Sequence, residues 1–223
     1  MTDDEIHRER RRKRDRLLEA ALPHVVFDGW GLTALLAGAS DIKVSAGQIH
    51  AVFINPERDL LTHFSDWADR RMLARLLELD LPSMTVRLRV ATAVRARLEG
   101  LAGHEEAVRR AVGSLVLPRN AGPAARDMYG AVDAIWRVAG DQSTDFNFYT
   151  KRGLLAAVLA TTTLFWLDDT SDEHAETWVF LDRRIEEIMR IPKLRARIQS
   201  KFQEMARKIP GLDMTLSGPG RTL

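Results

Sequence analysis

The chain has 223 residues, 45% of them hydrophobic and 29% charged, enough apolar matter for one domain with a sizeable core and a small appendage. It contains no cysteine, which excludes disulfides, zinc–thiolate sites and a cysteine nucleophile. The formal net charge is only +2, so any cationic function must come from clustering rather than from the total.

In chain order the pattern predicts helix throughout, over 8–28, 31–39, 45–53, 56–79, 83–102, 105–117, 121–139, 143–167, 172–190 and 193–209. Leu, Ala, Arg and Glu dominate, and β-branched alternation over strand lengths is missing. Breaks are expected at Gly29-Trp30-Gly31, Pro56, Pro82, Gly100 to Gly103, Pro118, Gly140 and Pro192. Ser143, Thr144 and Asp145 offer one N-cap, and Ser171, after the acidic Asp168-Asp169-Thr170, offers another. The tail over 211–223, with three glycines and a proline, is expected to be flexible. The fold class is all-α.

Both ends are basic. Residues 8–16 carry seven positive and two negative charges, and residues 190–208 carry seven positive charges against Glu204. No signal-type apolar segment opens the sequence, so a bacterial cytoplasmic protein is expected.

The first fifty-odd residues have helix-turn-helix spacing. A basic helix ends at Gly29, a short helix begins near Leu32-Thr33, and a turn at Asp41 to Val44 leads into SAGQIHAVF. This resembles the N-terminal module of TetR-type regulators in its spacing and in Gly29, Phe53 and Pro56. It departs at the DNA-facing positions. His50 stands where an aromatic is usual, and Glu57 where a lysine is usual. Between Asp41 and Glu57 the only cationic residue is Lys43, and the second helix offers Ser45, Gln48 and His50 but no arginine. Phosphate contacts and base reading need Lys, Arg, Asn or Gln, so DNA binding is not expected from this module.

The helix over 143–167 has no charge from Gly153 to Leu167. Fifteen uncharged residues span roughly 22 Å, short of the roughly 30 Å of a bilayer core, so it is not a membrane span. Two arrangements satisfy it: a central helix buried on all sides, or one with a side facing an apolar ligand.

Two stretches then resemble one family, the lipid-binding accessory proteins of ubiquinone (coenzyme Q) biosynthesis, which have a TetR-like fold. They are Thr-Asp-Phe-Asn-Phe-Tyr-Thr-Lys-Arg from Thr144 to Arg152, and Trp-x-Phe-Leu-x-x-Arg from Trp178 to Arg184. The likeness is weak in the helix-turn-helix and strong from 141 to 190. Phe148 stands where tryptophan is frequent. The resemblance implies a non-enzymatic protein that binds isoprenoid lipid, docks on membranes and presents quinone precursors to a carboxylate di-iron hydroxylase. It also implies a homodimer through the last large helices, peripheral to a bacterial inner membrane.

The chemistry of the sequence agrees with binding rather than catalysis. A bundle-type di-iron site needs Glu-x-x-His pairs, and none occurs. Phosphate loops, nucleophile elbows and His-Glu-x-x-His are also missing. His63 with Asp66, and His174 beside Asp172 and Glu173, read as capped or solvated surface groups. No catalytic residue, metal site or cofactor is expected beyond a bound isoprenoid lipid or quinone intermediate.

On this reading the lipid pocket draws Leu155, Val158, Leu159, Thr162, Phe165 and Trp166 from the uncharged helix, whose stripe also includes Leu154. Met128, Ile135 and Trp136 come from the helix before it, and Trp178, Leu181 and Ile185 from the helix after it. Phe148 and Tyr149 are about 100° apart on their helix and cannot both enter one core seam. Either one is core and one a half-buried lid, or, as the resemblance implies, they form a docking patch with Asp145, Asn147 and Arg152. Ile191, Leu194, Ile198, Phe202, Met205 and Ile209 form a single stripe bordered by cations including Lys193, Arg197 and Lys201. That composition suits a membrane-surface helix or a helix packed on its own domain. The expected organisation is a helix-turn-helix-like module at 1–55, a lipid-binding bundle at 56–190, a membrane-binding helix at 191–210 and a tail at 211–223. A TetR-type transcriptional regulator with an apolar effector is the alternative.

Overall fold

The computed structural model of the chain describes residues 2–114, 118–141 and 146–190. Among these there is helix and no strand. The helices are α1 (Asp3–Asp28), α2 (Leu32–Asp41), α3 (Ala46–Val52), α4 (Pro56–Leu76), α5 (Val86–Glu99), α6 (Glu105–Ser114), α7 (Pro118–Val138) and α8 (Phe146–Asp168), with α9 over 175–190. Tight 3₁₀ turns at Leu81–Ser83 and Asp172–His174 precede α5 and α9.

Most boundaries follow local chemistry. The first helix starts five residues earlier than expected because Thr2 and Glu5 make a reciprocal capping box, each side chain taking the other's backbone N–H. Pro118, expected as a break, instead begins α7, where a missing N–H leaves no bond unmade. The Ser171 hydroxyl accepts from the N–H of Glu176 at 3.1 Å and so caps α9 as expected. The expected caps Ser143, Thr144 and Asp145, the helix over 193–209 and the tail lie outside the described residues.

The N-terminal module is closed by one tight crossing. A Cβ at Gly38 of α2 would sit 2.5 Å from the backbone of Ala20 in α1, so only glycine fits. Around that crossing Leu18, Leu22, Val25, Leu35, Ile49 and Phe53 are fully buried. The module shares one continuous core with the rest of the chain. Trp30, in the loop after α1, donates its indole N–H to the Ala107 carbonyl of α6 at 3.1 Å and packs 4.7 Å from the Phe64 ring of α4.

Buried ion pairs fasten the layers. Asp15 of α1 receives Arg70 of α4 through two oxygens, at 2.6 and 2.9 Å, and bonds His63 at 2.8 Å. His63 is therefore not a surface group paired with Asp66. It is 4% exposed, because the α1–α4 packing closes over it and supplies Asp15 as partner. Burial, helped by Arg14 and opposed by Asp15, pushes its pKa down to about 4. Arg97 of α5 donates to Asp69 of α4 at 2.7 Å, and burial still holds the Asp69 carboxyl above its ordinary range.

Candidate functional site

Helix α8 is buried on the side that faces the bundle and half-open elsewhere. Leu155, Val158, Leu159, Thr162 and Trp166 are all under 4% exposed. The space this helix helps enclose lies toward α4 rather than α9. An apolar cavity of about 220 Å³ runs between α4, α6, α7 and α8. Leu61, Phe64 and Ala68 wall it from α4, Val108 and Val112 from α6, Pro123, Ala124, Met128 and Ala131 from α7, and Leu159, Ala160, Thr163 and Leu164 from α8.

The void exists because α7 presents small side chains there. Asn120, Pro123, Ala124 and Ala131 recur at three, one and seven residues and leave α4 unfilled on that side. At the rim, Glu57, Arg58, Leu61, Asn120 and Pro123 also border a more polar depression of about 610 Å³ beneath Gly29 and Trp30. Inside the cavity the Thr62 hydroxyl donates to Asp127 at 3.1 Å, joining α4 to α7.

Of the expected pocket residues, Met128 and Leu159 line this cavity. Ile135, Trp136, Leu155, Val158, Thr162, Trp166, Leu181 and Ile185 are buried core away from its wall. Thr162 Oγ1 and Trp166 Nε1, one turn apart in α8, are buried without a hydrogen-bond partner. Phe165 stacks on Phe180 of α9 at 4.7 Å, and Trp178 of α9 lies under the Arg95 guanidinium of α5, 4.7 Å from the ring centre, so neither lines the cavity. The α4 wall was missed. Its signal was present as Leu61, Phe64 and Ala68 at helical spacing opposite the small residues of α7.

The expected docking patch divides. Tyr149 is 71% exposed at the start of α8. Asn147 and Phe148 lie in the same turn of α8, but their side chains are outside the described residues, as is Asp145. Arg152 is not part of an exposed patch. It is 5% exposed, bonded to Asp133 at 2.7 Å and 3.5 Å from Asp141, because α7 and the turn that follows it bring these carboxylates against the first turns of α8. Lys151 bonds Asp141 at 2.7 Å. The expected membrane-contact residues Ile191, Lys193, Leu194, Arg197, Ile198, Lys201, Phe202, Met205 and Ile209 lie outside the described residues. No described helix is long and apolar enough to cross a membrane.

On the helix-turn-helix, the Gln48 side chain accepts the N–H of its own N-cap residue Ser45 at 3.0 Å, completing a capping box. Its oxygen is thus committed to starting α3. Lys43 holds the turn in a left-handed conformation, φ 57°.

A three-helix N-terminal module fused to a helical body with an apolar cavity defines a TetR-fold protein. A TetR transcriptional regulator of Nitrosomonas europaea has the same fold, with a TM-score of 0.65 over 79% of this chain and 97% of that one at 21% identity. The family model described as COQ9 matches residues 121–192, which span α7, α8 and α9. The mitochondrial ubiquinone biosynthesis proteins COQ9 of rat and human are 32% and 31% identical over 90% and 96% of this chain, and over 66% and 69% of their own lengths. The chain belongs to the COQ9 family, and it spans about two thirds of the length of these relatives.

Proposed function

We propose that this protein is a non-enzymatic accessory factor of ubiquinone biosynthesis. It binds an isoprenoid quinone precursor at a membrane surface and presents it to a di-iron quinone hydroxylase. The observation that carries this reading is the apolar cavity between α4 and α7, in a family whose named relatives are ubiquinone biosynthesis proteins. Its walls are mostly apolar, Thr62 and Asp127 are hydrogen-bonded to each other within it, and it shares its rim with a second depression that gives a tail somewhere to run.

The exposed Tyr149 at the start of α8 supports the docking part of the proposal, since helix geometry leaves it no core seam to fill. Arg152 serves that surface indirectly, by fixing α8 against α7. The basic amphipathic sequence over 190–208 supports attachment to an anionic bilayer, peripheral to a bacterial inner membrane. Pairing of two chains through α8 and α9 is part of the same proposal.

Native mass spectrometry of the full chain, purified from a ubiquinone-producing host, tests the reading. A co-purifying isoprenoid that is lost on organic extraction is the expected result, and Tyr149→Asp should keep that lipid but lose the hydroxylase. A lipid-free protein that forms a salt-sensitive, sequence-specific DNA complex would favour a transcriptional regulator instead. The commitment of Gln48 to the α3 cap and the lack of arginine in α3 speak against that outcome.

A further inference from the structure

In the mostly apolar lining of the α4–α7 cavity, which also includes Ser65, Arg97, Asn120 and Thr163, one hydrogen bond joins the α4 wall to the α7 wall. Thr62 spends its proton on one oxygen of Asp127, at 3.1 Å, so both side chains turn lone pairs rather than protons to the space. The other Asp127 oxygen has no hydrogen-bond partner among the described residues. Arg97, the cation on the inner wall, attracts the Asp127 carboxylate without a recorded hydrogen bond to it, donating instead to Asp69 at 2.7 Å and Ser65 at 3.4 Å. Arg58 stands at the rim and is exposed.

Burial holds the Asp127 carboxyl above its ordinary range, against the Thr62 hydrogen bond and the attraction of Arg126, Arg58 and Arg97. A carboxylate so placed has acceptor capacity left for a donor supplied by a ligand. Asp127 lies seven residues past the rim residue Asn120, roughly 10 Å along α7. Beyond it the floor is formed by Ala68, Leu101 and Ala131. At about 220 Å³ the cavity falls below the roughly 300–1,000 Å³ of sites that enclose a drug-sized ligand. A substituted ring and the start of a tail fill it, and the remaining tail leaves over the adjoining depression.

We propose that this cavity selects its ligand by the hydrogen-bonding character of the ring, taking a prenylated phenol or hydroquinone in preference to the matching quinone, with Asp127 as acceptor. The proposal rests on the lipid-binding reading above and adds the ring chemistry. A hydroquinone directs an O–H at the carboxylate and forms a charge-assisted bond. A quinone presents carbonyl oxygens alone, which face the lone pairs of Asp127 and Thr62 without a proton between them.

Calorimetric titration of the full chain at neutral pH with geranylbenzene, geranylbenzoquinone and geranylhydroquinone tests it. A reductant keeps the last of these reduced and meets no cysteine in the chain. The hydroquinone should bind about tenfold or more tighter than the quinone, the scale of one hydrogen bond to a charged group. Asp127→Asn supplies an amide donor in the same place. It should abolish that preference, with geranylbenzene as the control for the cavity itself. If geranylbenzene binds but wild type takes both ring forms equally, or Asp127→Asn keeps the preference, the proposal is overturned and lipid binding stands. The wild-type comparison decides even if the variant folds poorly. If none of the three binds, the lipid-binding reading itself fails and takes this proposal with it.

Discussion

The helix-turn-helix module and the α4–α8 body are built on opposite packing rules. In the module, Gly38 lets α1 and α2 touch backbone to backbone, and Gln48 and Ser45 spend their polar atoms on capping α3. In the body, small residues along α7 leave the space facing α4 unfilled, and it stays open and largely apolar. The Gln48 oxygen is committed to the α3 cap in the one, and apolar space is left between α4 and α7 in the other.

The largest expected effect tests the tight half. Gly38→Ala forces a Cβ against rigid backbone at 2.5 Å, where no side chain can yield. The strain should exceed the roughly 1 kcal/mol that alanine contributes as a helix former, for a net loss of about 3 kcal/mol or more. By circular dichroism that is a fall in Tm of roughly 6–12 °C for a chain of this size. A melt within a degree or two of wild type would mean the α1–α2 crossing has slack.

The next divides buried charge from exposed aromatic in one turn of α8. Arg152→Met removes the guanidinium that Asp133 and Asp141 share, and should cost about 2–4 kcal/mol in urea unfolding. Tyr149→Asp, at an exposed position, should stay within about 0.5 kcal/mol. Equal losses in the two variants would remove the distinction between scaffold and docking surface.

His63 makes the module–body joint sensitive to acid. The folded ring stays neutral down to about pH 4, whereas an unfolded histidine takes its proton near 6.5. Between those values the unfolded chain binds more protons. The stability contribution is therefore complete above pH 6.5 and is lost as pH falls toward 4, by up to about 3 kcal/mol. In His63→Gln the stability profile between pH 6.5 and 4 should be flatter than in wild type. An unchanged slope would assign the acid sensitivity to other groups.

The smallest effect on stability belongs to the open half. Ala160→Phe places a ring in the cavity, so unfolding free energy should shift by less than about 1 kcal/mol while co-purified lipid falls at least tenfold. Leu155→Ala, in packed core on the same helix, should instead cost about 2–5 kcal/mol. If Ala160→Phe destabilises as much as Leu155→Ala, the space it enters is not open.

Sequence alone determined the helical class, most helix positions, the helix-turn-helix spacing and the family stretches from Thr144 to Arg152 and Trp178 to Arg184. These are local properties: apolar periodicity, caps and breakers act within a few residues and can be read along the chain. It also marked the α8 residues as interior, but could not say which of them face a neighbour and which a void. That depends on what stands opposite, and only the tertiary structure decided that small α7 residues meet Leu61, Phe64 and Ala68 across empty space. Arg152 and His63 were misjudged for the same reason. Asp133, Asp141 and Asp15 lie from 11 to 48 residues away along the chain, and a charge is buried or exposed according to partners that folding alone brings near.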